Sequence, residues 1–150
     1  MKSCKTSLPE RNPKRPISGT EQENKMSKCI RIPTKGPLTG LEPTDYIPPS
    51  ELVSGDPKEQ GKSYYVDQTG DLDASVWECE PNKHRVPDAP YDELVYLIES
   101  VIDVHDDEGG VETYKAGDCF MMPRGCNCTW DVQERVKKVY LVLTHSAYEG

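Results

Sequence analysis

Histidine is scarce in this sequence, with three residues, and so are the bulkiest aromatic side chains, with one Phe and two Trp. Few histidines leave few of the imidazole ligands from which transition-metal sites are usually built. No apolar run approaches the length of a membrane-spanning helix, and the first 20 residues, MKSCKTSLPERNPKRPISGT, lack the seven or more consecutive apolar residues of a signal peptide. A soluble, cytoplasmic protein is therefore expected, with no membrane partner. Its six cysteines (Cys4, Cys29, Cys79, Cys119, Cys126, Cys128) should remain thiols. The Ser/Thr-rich basic start leaves organelle targeting as an alternative, which Glu10 and the prolines oppose by spoiling an amphipathic helix.

Positive charge is thin beyond the first third of the chain. Residues 1–50 hold nine Lys/Arg, five Asp/Glu and eight Pro, whereas residues 51–150 hold nine Lys/Arg, 21 Asp/Glu and five Pro. The acidic body repels phosphate, so nucleic acid is not an expected partner. Lys2, Lys5, Arg11, Lys14 and Arg15 stand among Ser, Thr and Pro, the composition of a solvated arm. The expected organisation is a disordered or extended arm over residues 1–40 and one domain over residues 41–150. Within the lead-in, KCIRI (28–32) is a candidate edge strand.

Beyond Ser50 the chain becomes a series of short β-like runs rich in Val, Tyr and Ile, separated by turn residues at the spacing of a sandwich or barrel. The runs are SYYVDQ (63–68), ASVWECE (74–80), ELVYLIESVIDV (93–104), VETYK (111–115), DCFMMP (118–123), CTWDV (128–132) and VKKVYLVLT (136–144). EPNKHRVPDAPY reads as a connection, and QTGD, DDEGG, AGD, PRG and QER read as turns. No segment keeps ten residues of helical apolar spacing with caps. In ELVYLIE, Glu93, Val95, Leu97 and Glu99 share one face and Leu94, Tyr96 and Ile98 the other. Both faces are largely apolar, which suits a strand covered on both sides and points to a homodimer, or to loops over the outer face.

These residues resemble the two cupin motifs: a strand headed by Glu, then G-D, four residues and P-x-G. SVWECEP, DELVYLIE, GDCFMMP, PRG, CTW and VKKVY, in that order, are similar to the ureidoglycine aminohydrolase-type group of small cupins over about residues 40–145. The resemblance implies an all-β, double-stranded β-helix, a jelly-roll barrel whose two sheets line a small cavity. In metal-dependent cupins two histidines lie six and four residues before the Glu and a third lies three residues after the Gly of P-x-G. Here those positions hold Pro87, Ala89 and Cys128, so of four ligands only Glu93 is kept. One carboxylate holds a divalent ion poorly, and no metal or other cofactor is expected. A zinc site built from Cys126 and Cys128 with Cys79 or Cys119 and Glu93 remains the alternative; His84 and His105 read as surface or rim residues.

On the barrel reading Glu93 and Cys128 face one cavity. A carboxylate among apolar groups has its charged form disfavoured, which makes Glu93 a candidate acid/base. Cys128 is a candidate nucleophile only if a cation activates it, with Lys138 or Arg124 the nearest by motif position. Otherwise Glu93 bonds the barrel interior and Cys128 fills space. Trp77, Tyr91, Tyr96 and Trp130 are candidates for the cavity wall, each equally serviceable as core. Lys83 and Arg85 either meet an anion at the barrel mouth or are solvated. The expected function is binding of a small polar metabolite, with catalysis open. A hydrolase or isomerase of a ureido, amino or carboxylate compound, zinc-assisted or not, and a scaffold with a vestigial cavity are the alternatives.

Overall fold

The computed structural model describes residues 28–145 and contains eleven strands and no helix among them. Most of the expected arm, residues 1–27, lies outside the described residues. The KCIRI segment forms no strand; its exposed backbone runs on to β1 (Glu42–Pro43), which is the first element to pair.

The strands form two antiparallel sheets. The larger orders β1, β3 (Gln60–Val66), β4 (Leu72–Cys79), β11 (Val136–Leu143), β6 (Asp92–Glu99) and β9 (Cys119–Met122). The smaller orders β2 (Leu52–Gly55), β5 (Asn82–Val86), β10 (Cys128–Val132), β7 (Val101–Asp106) and β8 (Val111–Lys115). Alternation drives the two sheets face to face, because β4, β6, β7, β10 and β11 turn apolar positions inward. Val95, Leu97, Ile102, Val132 and Val136 are essentially inaccessible to solvent and belong to one core cluster between the sheets.

Two sequence expectations change. The run 93–104 is not one strand: Ser100 adopts a left-handed conformation (φ 72°), and the chain crosses there from β6 in one sheet to β7 in the other. Continuous apolar character hid the corner, since neither Gly nor Pro marks it. The segment 82–86, read as part of a connection, is β5, paired with β10 and β2. Its inward residues Asn82 and His84 are polar but buried, so no hydrophobic alternation announced it. At the end of β2, Gly55 (φ 86°) lets the backbones meet; a Cβ there would lie 2.5 Å from the Pro81 carbonyl oxygen.

On β6 the period-two reading holds from Glu93 to Leu97 and fails at Glu99, which is exposed beyond a register irregularity opposite Lys137 and Lys138. Glu93, Val95 and Leu97 are buried, while Leu94 and Tyr96 are 41% and 39% exposed on the outer face. Beside Leu94 in register lie Leu141 of β11 and Met121 of β9, both exposed.

Candidate functional site

Between the sheets lies a cavity of about 420 Å³ that opens to solvent. The six-stranded sheet supplies Trp77 from β4, Glu93 from β6 and Lys138 and Tyr140 from β11; the five-stranded sheet supplies His84 from β5 and Trp130 from β10. Register explains the grouping. Lys138 lies directly across from Trp77, and Trp130 directly across from His84. Tyr91 and the lead-in residues Tyr46 and Ile47 also line it.

At the centre is an ion pair. Lys138 Nζ donates to Glu93 Oε1 at 2.5 Å, and both residues are buried. The ammonium also lies 4.8 Å from the ring centre of Trp77 and 4.7 Å from those of Trp130 and Tyr140. A carboxylate and three π faces thus replace the water that burial removes from the charge. Lys138 reaches Glu93 because its four-carbon stem spans from β11 to the head of the neighbouring β6.

A second buried carboxylate, Glu59, sets the wall. It accepts from Trp77 Nε1 (3.1 Å) and the Ile47 amide (3.0 Å), which fixes the indole and pins the lead-in beside the cavity. Asn82 fixes His84 in a similar way. Its Nδ2 donates to the Glu80 carbonyl at 2.8 Å, leaving Oδ1 as the acceptor 2.7 Å from His84 Nδ1. Nδ1 therefore carries the proton, and Nε2 keeps its lone pair. Burial, aided by the Lys138 charge, pushes the His84 pKa down to about 4 and keeps the ring neutral. Burial likewise raises the phenols, Tyr91 to about 12 and Tyr140 further, the latter with help from its hydrogen bond to Tyr46.

The sequence-predicted residues divide. Glu93, Lys138, Trp77, Tyr91 and Trp130 line one cavity. Tyr96 does not, because it lies on the opposite face of β6 from Glu93. Cys128 faces a separate cavity of about 200 Å³, beside Cys126, Met122 and Phe120. Its thiol is 3.8 Å from the Met122 sulfur, and burial with the neighbouring Cys126 pushes it up to about 12, the reverse of what a nucleophile needs. Lys138, the expected activator, is engaged with Glu93 instead. Arg85 is half-exposed beside Asp107 and also lines the cavity. His84, expected at the surface or rim, is buried in the cavity wall. Tyr140 and Glu59 were missed, although Tyr140 follows Lys138 by two and so had to share its face.

The metal of related barrels does not fit these residues. Pro87 and Ala89 have no donor side chain, Cys128 faces elsewhere, and the Lys138 ammonium sits on the one carboxylate retained. Among the described residues no three His, Cys, Asp or Glu gather as a metal-binding group, and Cys119 is exposed on the outer side, away from the thiols with which zinc was envisaged.

Two facing antiparallel sheets around a polar-centred cavity define a jelly-roll barrel of the cupin class. The EutQ-like cupin domain matches residues 66–140, and the chain belongs to that family. No curated protein matches it. Among solved structures it is similar to a protein of unknown function from Pseudomonas syringae pv. tomato, with TM-score 0.64 and 27% identity over 68% of this chain and 43% of that one. It is also similar to the Clostridium difficile EutQ protein (TM-score 0.51, 17% identity, 60% of this chain and 65% of that one). KdgF from Halomonas sp. aligns with TM-score 0.50 and 16% identity over 65% of this chain and 90% of that one. The chain thus spans less than half of the Pseudomonas protein, and the other two speak to the fold alone. No helix among the described residues is long and apolar enough to cross a membrane.

Proposed function

We propose that this cupin binds a small polar metabolite in its barrel at the Lys138–Glu93 pair, without the histidine-held metal of related barrels. The observation that carries the reading is that pair, buried yet lining an open cavity. Its net charge is zero, so it favours a ligand offering both an acceptor for the ammonium and a donor for the carboxylate. Ureido, amide and amino-acid-like compounds have this character, in line with the ureidoglycine aminohydrolase-like motifs. Aromatic rings on three sides of the ammonium lower the local polarity and strengthen such bonds. The protein is proposed to act in the cytoplasm, as a homodimer whose contact is the outer face carrying Leu94, Tyr96, Met121 and Leu141.

Native mass spectrometry of chain purified without chelator tests the reading. The expected result is a co-purifying small molecule that is released on unfolding and lost in Glu93→Gln, with well under one equivalent of manganese, iron or nickel. A stoichiometric, chelator-resistant ion lost in the same variant would point to a metal-assisted hydrolase or isomerase. An empty cavity unaffected by Glu93→Gln would point to a scaffold.

A further inference from the structure

Lys138 is a primary amine at the wall of an open cavity, with a carboxylate 2.5 Å from its nitrogen and aromatic rings around it. We propose that this cavity captures a small uncharged aldehyde or ketone as an imine on Lys138, with Glu93 carrying the protons. The inference rests on the cavity being a ligand site and adds a covalent step to it.

The chemistry closes on these two side chains. Proton transfer from Lys138 to Glu93 leaves an amine and a carboxylic acid, an uncharged pair that burial tolerates better than separated ions. The amine lone pair forms the C–N bond while the carbonyl π pair moves to oxygen, which takes the proton from Glu93. Glu93 then removes a proton from nitrogen, giving the neutral carbinolamine. Returning that proton to the hydroxyl breaks the C–O bond, water leaves, and the nitrogen lone pair forms the C=N bond. The sum is ammonium plus carbonyl giving iminium plus water, with Glu93 again a carboxylate. No oxidant or further reactant is needed.

Charge makes this site suited to the step. The iminium carries the same single positive charge as the ammonium it replaces, so Glu93 and the faces of Trp77, Trp130 and Tyr140 stabilise start and end alike. The lining sets Glu51, Asp73 and Glu93 against Lys138 and Arg85, a net negative balance that disfavours an anionic carbonyl compound such as a 2-oxo acid. The neighbouring Lys137 offers an internal contrast. It points to the other side of β11, where it pairs with the exposed Glu99 at 2.8 Å.

The test is reductive trapping. Folded full-length chain is incubated with propanal and cyanoborohydride near neutral pH, and N-propylation of each lysine is followed by peptide mass spectrometry. Lys138 is expected to label at least tenfold faster than Lys137 and Lys115, and the preference should vanish in urea. It should fall tenfold or more in Glu93→Gln, and pyruvate should label Lys138 more slowly than propanal. Labelling of Lys138 no faster than Lys137 in the folded chain would overturn the proposal, whether or not Glu93→Gln folds. Retention of a non-covalent metabolite without Lys138 labelling would overturn the imine and leave the binding site standing.

Discussion

Acidification from pH 6.5 to 4 should cost the folded chain about 3 kcal/mol through His84 alone. The histidine has an ordinary value of 6.5 and is held at about 4 in the fold, first by burial and then by the Lys138 charge. At about 1.4 kcal/mol per pH unit, a difference of roughly 2.5 units gives that figure. The sign is set by where the proton binds. Between pH 6.5 and 4 the unfolded chain takes up a proton at His84 while the folded chain refuses it, so stability is full above the window and declines as pH falls through it. Asp67 and Asp92 are displaced in the same direction, below 3.8, chiefly by backbone amides of Leu72 and Arg124. Their contributions fade only at lower pH. Urea denaturation of wild type and His84→Gln at pH 6.5, 5 and 4 isolates the histidine's share. The variant should lose about 3 kcal/mol less than wild type across the window. Parallel losses in the two proteins would refute the buried, neutral ring.

The ion pair should be strongly coupled. Lys138→Met or Glu93→Leu alone should destabilise by roughly 3–5 kcal/mol by stranding a buried charge, and the double variant by clearly less than the sum, read from chemical denaturation. With burial holding both thiols near 12, Cys79 and Cys128 should resist iodoacetamide at pH 8 while exposed Cys29 and Cys119 react, as peptide mass spectrometry will report. Nitrogen-15 NMR should find His84 protonated at Nδ1 and bare at Nε2; the opposite tautomer would contradict the Asn82 geometry.

Where alternation and turn chemistry agreed, the fold was legible: β8 and β10 occupy residues 111–115 and 128–132 as their sequences suggest. Legibility failed where polar groups turn inward, as at Asn82 and His84, because a strand that lines a cavity sheds its hydrophobic signature. It failed again at Ser100, where a left-handed corner had no glycine to mark it. Within the site, Glu93 stood out as a lone carboxylate heading an apolar strand, but its partner did not. Lys138 lies 45 residues away, and only the β6–β11 register brings the two together. Cys128 was assigned to the Glu93 cavity from motif position alone, and side-chain direction sends it to the smaller one. Tyr96 was misplaced against the chain's own alternation, which already set it opposite Glu93.

Both tryptophans of the chain line the cavity, so their two indole N–H signals report its occupancy directly. Titrating nitrogen-15-labelled chain with the small-molecule fraction of a cell extract, and then with the compound isolated from it, should shift both signals. Glu93→Gln should weaken that binding tenfold or more, about 1.4 kcal/mol. Two indole signals that never move, or that move with equal affinity in Glu93→Gln, would contradict a metabolite site built on the Lys138–Glu93 pair.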